Sequence, residues 1–233
     1  MGSGYRSRVE EMQEQYWRRD KSCRRRPDHP VVAAAFDPLA SIVASVVESP
    51  RDSTVLDVGC GNGFLSWALE KRFGKVVGLD FSEEMLRVNP CQNKVLGTST
   101  DLPFPNRSFD VAVASHLLHH LAANDRVETL REMGRVARAA VVCFEPNRNN
   151  PLVFLFSLLK GEERMALRFS RAYMRSLCAS ACVVPTTIFN QNWIAPNRAP
   201  TWWIKVGRLL ARSALQRFGL DICCIAMLTD GPS

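Results

Sequence analysis

The feature that most constrains this chain is the change of period at residue 54. Thr54-Val-Leu-Asp-Val58 is a short β-branched run, Gly59-Cys-Gly-Asn-Gly63 follows it, and a helical pattern runs from Phe64 to Arg72. Glycines at such a strand-to-helix turn allow positive φ and let the backbone approach a ligand, and the helix beyond presents free N–H groups. The alternation then repeats. Lys75-Val-Val-Gly-Leu79 reads as a buried strand ending at Asp80, and Ser82 as the N-cap of the next helix. Asn93–Gly97, Phe109–Ala114 and Ala139–Glu145 read as further strands, with a helix over Leu121–Val136. Strands alternating with helices at this spacing imply a parallel sheet with right-handed crossovers.

Outside this region the pattern is less regular. Residues 5–26 carry many charges around Tyr16 and Trp17 and read as an exposed arm, which Pro27 and Pro30 break. Residues 31–47 suit a helix. Asn150 to about Cys182 reads as two helices punctuated by Gly161, and Val183–Asn190 as a strand. Asn192–Pro200 reads as a loop, Trp202–Phe218 as an amphipathic helix and Asp221–Leu228 as a last strand. The expected organisation is an N-terminal arm or lid over 1–30 and one α/β domain over 31–233. Within that domain lie a lid insertion at about 150–182 and a basic, aromatic segment at about 192–218.

Three features of the turn narrow its chemistry, because dinucleotide sites use the same device. Asp57 precedes the glycines, where an acid suits a cation better than a pyrophosphate. No phosphate-loop Lys follows. Asp80 ends the next strand, placed to accept hydrogen bonds from ribose hydroxyls. Together they favour a nucleoside carrying an amino acid over a nucleotide phosphate.

With those residues in place, the chain resembles a known family. Val55-Leu-Asp-Val-Gly-Cys-Gly-Asn-Gly63, Val77-Gly-Leu-Asp-Phe-Ser-Glu-Glu-Met-Leu86, Gly97-Thr-Ser-Thr-Asp-Leu-Pro-Phe-Pro-Asn-Arg-Ser-Phe-Asp110 and Ser115-His-Leu-Leu-His-His120 are similar to successive motifs of class I S-adenosylmethionine (SAM)-dependent methyltransferases. The likeness is greatest to the type 11 group, which includes quinone-biosynthesis and natural-product enzymes. It covers roughly residues 54–146. It implies a Rossmann-like, seven-stranded, mostly parallel sheet with helices on both faces and a helical lid. It also implies SAM as cofactor and S-adenosylhomocysteine as product. Gly59, Cys60, Gly61, Asn62 and Gly63 would form the turn beside the methionyl part, with Asp57 orienting its ammonium. Asp80 would accept from the ribose, Phe81 and Met85 would lie against the adenine, and Thr98 and Ser99 at its edge. Ser115 would lie on the cofactor side of the fourth strand. Two departures stand out. Thr98 replaces the usual Asp or Asn, and Val136-Ala-Arg-Ala-Ala140 replaces a Pro-Gly-Gly turn, which suggests a shorter connection.

Methyl transfer needs a base only if the acceptor must lose a proton, and histidine suits that task near neutral pH. His116, His119 and His120 follow the fourth strand, at the sheet edge where open α/β sheets bind ligands. Glu145 at the end of the fifth strand is another candidate, and helix-start packing is the alternative for the histidines.

Charge bears on the acceptor. The chain of 233 residues carries a net +7, with eleven basic against two acidic residues between 147 and 218. Phe154, Phe156, Trp193, Trp202 and Trp203 lie in the same stretch. An apolar pocket rimmed by Arg suits a small-molecule or lipid-like acceptor with an anionic group, and peripheral contact with an anionic membrane is a further expectation. Nucleic acid, RNA in particular, is the lesser alternative, since no nucleic-acid-binding module is evident. A SAM-binding regulatory subunit without turnover and a nucleotide-dependent oxidoreductase are the other readings. The first twenty residues lack an apolar run and the longest apolar stretch is too short to span a bilayer. Eight cysteines without zinc or redox spacing then suggest buried, reduced thiols, no metal site and a cytoplasmic setting.

Overall fold

The computed structural model describes residues 25–228; the expected N-terminal arm lies outside the described residues up to residue 24. Its organising element is β1 (Thr54–Val58), in which Val55, Leu56 and Val58 are fully buried. Around it stand β2 (Lys75–Asp80), β3 (Asn93–Leu96), β4 (Phe109–Ser115) and β5 (Ala137–Pro146), all parallel. The last two strands are β6 (Thr187–Gln191) and β7 (Asp221–Met227), and β7 runs antiparallel to both β5 and β6. The order across the sheet is β3-β2-β1-β4-β5-β7-β6. The chain reverses its winding between β1 and β4, and open α/β sheets bind ligands at that switch point, beyond the carboxyl ends of the strands.

Near-continuous apolar runs in the central strands follow from burial on both faces. One core layer holds Leu56, Val58, Leu79, Ala112 and Ala114 with α4 (Ala123–Val136) and α6 (Arg171–Ser180). The other holds Val55, Val111, Val113 and Phe144 with α1 (Pro30–Ala44) and α2 (Phe64–Glu70). Ser82 caps α3 (Glu83–Val88) as its sequence predicts, its hydroxyl accepting from Met85 N at 3.3 Å. The short connection expected at 136–140 takes its extreme form: α4 ends at Val136 and β5 begins at Ala137.

The second half departs from the sequence expectation in detail. The stretch 150–182 contains α5 (Pro151–Leu159), a 3-10 segment (Gly161–Arg168) and α6. The expected strand from Val183 starts only at Thr187, because Pro185 and the positive φ of Cys182 (59°) hold the chain in a turn first. The expected long helix at 202–218 is α7 (Trp203–Ala211) and a 3-10 turn (Ala214–Phe218); the Ser213 hydroxyl accepts from Leu215 N and starts the second piece separately.

Candidate active site

A cavity of about 1160 Å³ lies along the carboxyl ends of β1, β2 and β4, roofed by α5 and the 192–200 loop. At one end is the glycine turn. Gly59, Gly61 and Gly63 all have positive φ, at 69°, 50° and 85°. A Cβ on Gly63 would collide with the Asn89 side chain, so that position needs glycine for space as well as conformation. Asn89 was not singled out from sequence, yet it clamps the turn: its amide donates to Gly61 O at 3.0 Å and to Cys60 Sγ at 3.2 Å. A Cβ on Gly61 would meet nothing within 4 Å, because that residue borders the cavity itself.

Two acids stand under this turn. Asp57, 1% exposed, accepts from Ser66 Oγ at 2.6 Å. Burial, reinforced by the charge of Asp80 and opposed by that hydrogen bond, pushes its carboxyl up to about 7. Asp80 is also raised by burial, although its oxygens accept from Gly61 N (2.8 Å) and Ser82 N (2.9 Å). Neither meets a cationic side chain among the described residues. Asn62, Phe81, Met85, Thr98, Ser99 and Ser115 all line the cavity, as do Gly59, Cys60 and Gly61, while Gly63 stands behind the turn. Ser99 Oγ is 2.9 Å from Thr129 Oγ1 on α4. Ser115 Oγ is buried without a hydrogen-bond partner in the protein.

The four residues considered for proton transfer separate by geometry. His116 has φ 55°, which turns it out of β4, and its ring is 38% exposed into the cavity. Its Nε2 lies 3.3 Å from Asp221 Oδ1. Burial lowers its pKa, but the charge and hydrogen bond of Asp221 outweigh burial and hold it above the usual histidine value. Asp221 was missed in the sequence because it reads as an ordinary strand start. It is fixed in turn by Asn192, whose amide donates to Oδ2 at 2.8 Å.

His119 and His120 also line the cavity, with ring centroids 3.9 Å apart, but His119 is 2% exposed and tied to Glu145 through Nδ1 at 2.7 Å. Glu145, expected from its strand-end position to be a candidate base, does not face the cavity. It is fully buried and accepts from Leu117 N, Leu118 N, His119 N and His119 Nδ1. That carboxylate caps the 118–120 turn and has no free face for an acceptor. Arg126 braces the same turn, donating to Leu118 O at 2.9 Å and to Tyr173 OH at 2.7 Å.

The far end of the cavity is apolar and aromatic. Leu39, Val153, Phe156, Trp193 and Trp203 line it, and Lys160 and Arg198 are the Lys and Arg side chains on its walls among the described residues. Arg198 lies over the Phe156 ring at 4.1 Å and joins the 192–200 loop to α5. Trp202 is two-thirds exposed and outside the lining, contrary to a pocket role.

Residues 56–144 match the family model described as a methyltransferase domain. The demethylmenaquinone methyltransferase of Staphylococcus carnosus is 35% identical, over 48% of this chain and 51% of that protein. The ubiquinone biosynthesis O-methyltransferase of Hahella chejuensis is 33% identical, over 46% of this chain and 49% of that one. Among solved structures, geranyl diphosphate C-methyltransferase from Streptomyces coelicolor, in complex with Mg2+, geranyl diphosphate and S-adenosylhomocysteine, superposes with a TM-score of 0.60. It covers 95% of this chain and 98% of that one at 17% identity. The fold is thus shared, over nearly the whole chain, with a methyltransferase of known structure. The match to a methyltransferase domain extends over residues 56–144, and the chain spans about half the length of the curated relatives it matches.

Proposed function

We propose that this chain transfers a methyl group from SAM to an oxygen or carbon nucleophile on a small-molecule or lipid-like acceptor, with His116 taking the proton. The observation that carries the reading is that one cavity joins two buried acids, without a cationic partner among the described residues, at its glycine-turn end to a His–Asp pair farther along. When bound, SAM supplies an electrophilic methyl on a sulfonium, and alignment of the nucleophile with it contributes much of the rate.

The chain's residues fit that cofactor. A buried carboxylate such as Asp57 costs several kcal/mol of solvation unless a cation meets it, and the methionyl ammonium is such a cation. Asp80 keeps acceptor capacity for a ribose diol beyond the backbone N–H groups it already meets. Ser115 Oγ lacks a partner that a cofactor polar group would provide. Phe81 and Met85 offer apolar faces to the adenine, with Thr98 and Ser99 at its edge. His116 accepts a proton from the acceptor, and Asp221 orients the ring and stabilises the imidazolium that results. The apolar far end with Lys160 and Arg198 suits an acceptor with an apolar body and an anionic group. A relative named for ubiquinone biosynthesis and a neighbour holding geranyl diphosphate support that class by analogy.

The test is calorimetric titration of the wild-type chain and Asp80→Asn with SAM and S-adenosylhomocysteine, followed by transfer of labelled methyl to quinol and prenyl-phosphate panels. Micromolar cofactor binding, on the order of −8 kcal/mol, weakened at least tenfold by the substitution, is expected. No heat from a folded, cofactor-free sample overturns the reading. Tight binding without transfer to any acceptor or extract favours a regulatory subunit, and transfer confined to RNA favours a nucleic-acid substrate.

A further inference from the structure

α5 divides into two faces of similar chemistry and different surroundings. At about 100° per residue, Val153, Phe156 and Ser157 fall on one side, and all three line the cavity. The other side, about half the circumference, carries Leu152, Phe154, Leu155, Leu158 and Leu159. These five are 62%, 49%, 54%, 50% and 74% exposed. Of the nine residues in the helix only Ser157 is buried, and none is charged or capable of an ion pair. An apolar helix packed in a core would bury such leucines, and one facing water would carry charges there. Leu152 belongs to both faces, since it also lines the cavity.

Among the described residues the charged side chains next to this helix in sequence are basic, while Glu162 and Glu163 also follow it in the sequence. Arg148 precedes the helix and Lys160, Arg164 and Arg168 follow it, all exposed. α7 adds exposed Lys205 and Arg208. Its first residue, Trp203, lines the same cavity as Val153 and Phe156 of α5, and the Asn150 amide that caps α5 donates to Phe218 O in the turn after α7.

We propose that the outer face of α5 docks on an anionic lipid bilayer, with Phe154, Leu155, Leu158 and Leu159 entering the interface and the flanking Lys and Arg side chains meeting lipid headgroups. No helix among the described residues is long and apolar enough to cross a membrane; α5 lies in the interface plane. A second copy is the poorer occupant, because symmetric pairing of this face would set each cationic border against its like. Charge complementarity instead favours a negative surface, where each nearby Lys or Arg strengthens attachment. The site consequence rests on the proposed methyltransferase reading: α5 is both membrane contact and cavity wall, so a bilayer-borne acceptor reaches the far end of the cavity beside Leu152 without crossing water.

The experiment is co-sedimentation of the full chain with phosphatidylcholine vesicles, with and without phosphatidylglycerol, for wild type and Leu155→Asp/Leu159→Asp. SAM titration and light-scattering mass accompany each sample. Wild type should pellet with anionic vesicles, less so as salt rises, and the double variant should lose at least about tenfold in partitioning with SAM binding intact. Equal partitioning of the two proteins, or none by wild type, overturns the proposal. A wild-type dimer that the variant converts to monomer overturns it in favour of a second copy. Vesicle binding that survives the double variant but vanishes on deleting residues 1–24 overturns it in favour of the N-terminal segment. Vesicle binding without SAM binding would leave docking intact and sink the methyltransferase reading alone.

Discussion

His116, just past the end of β4, and Asp221, the first residue of β7, have β5 between their strands, yet their side chains meet at 3.3 Å, Nε2 to Oδ1. The positive φ of His116 turns its ring out of line with β4, and Asp221 is the first residue of the antiparallel β7. A carboxylate so placed favours the imidazolium, and that sets the first expectation. His116→Gln should lower kcat by about 10²–10⁴, the usual range for a positioned proton acceptor. Asp221→Asn removes the charge that raises the His116 pKa, so the acidic limb of the pH–rate profile should move to lower pH while kcat falls. A fall in rate with an unmoved limb would reduce Asp221 to a packing role.

The Asp57 carboxyl gives two opposite pH dependences. Its pKa rises from 3.8 to about 7 on burial, so the folded, cofactor-free chain holds a proton there that the unfolded chain has lost. Stability from this group is full below about pH 4 and declines as pH rises through about 7; His116, also raised, acts in the same direction. Cofactor affinity should do the reverse, because an ammonium pairs with the ionised carboxylate. Thermal midpoints of the cofactor-free chain should therefore fall from about pH 5 to 7.5 as SAM affinity rises, by up to tenfold per pH unit below the pKa. In Asp57→Asn both trends should flatten, and calorimetry across that range checks them.

The half of the fold up to residue 146 was legible because its signals are local. Buried parallel strands read as apolar runs, glycines mark the turn, and Asp57 and Asp80 stand at fixed offsets from them. Seven strands were countable for the same reason. The far wall of the cavity was not, because its residues meet through long-range packing. Asp221 acquires meaning only when β7 inserts between β5 and β6, and Asn89 only when α3 folds back on the turn. Glu145 misled in a related way: a strand-end acid looks the same in sequence whether it faces the cavity or, as here, turns inward to four N–H donors. Trp202 was drawn into the expected pocket by its neighbour Trp203, but one helical step points the two rings to different surroundings.

Asp80 holds the turn in addition to the ribose contact proposed for it, so its substitutions should not be equivalent. Asp80→Ala strips acceptors from Gly61 N and Ser82 N, and each orphaned buried donor costs about 1–3 kcal/mol. It should lower the melting temperature of the cofactor-free chain as well as abolish SAM binding. Asp80→Asn keeps one carbonyl acceptor and should lose SAM affinity with a smaller drop in melting temperature. Equal melting curves for the two variants would mean that these backbone bonds contribute little.

Glu145 supplies the contrast with His116. Its two oxygens satisfy three backbone N–H groups and the His119 ring, so Glu145→Ala leaves several buried donors without a partner. The expected cost is about 3 kcal/mol or more, enough to threaten folding, and Glu145→Gln should keep part of it by retaining one acceptor oxygen. If the carboxylate acts through the turn alone, Glu145→Gln should lower the unfolding midpoint in urea while the pH–rate limb of the remaining activity stays where the wild type has it. A shifted limb would mean that Glu145 is coupled electrostatically to the proton acceptor, as its weak upward influence on His116 allows. An unchanged urea midpoint would overturn the capping role altogether. Denaturation and kinetics on the same preparation therefore separate a residue that holds the histidines in place from one that exchanges protons with the acceptor.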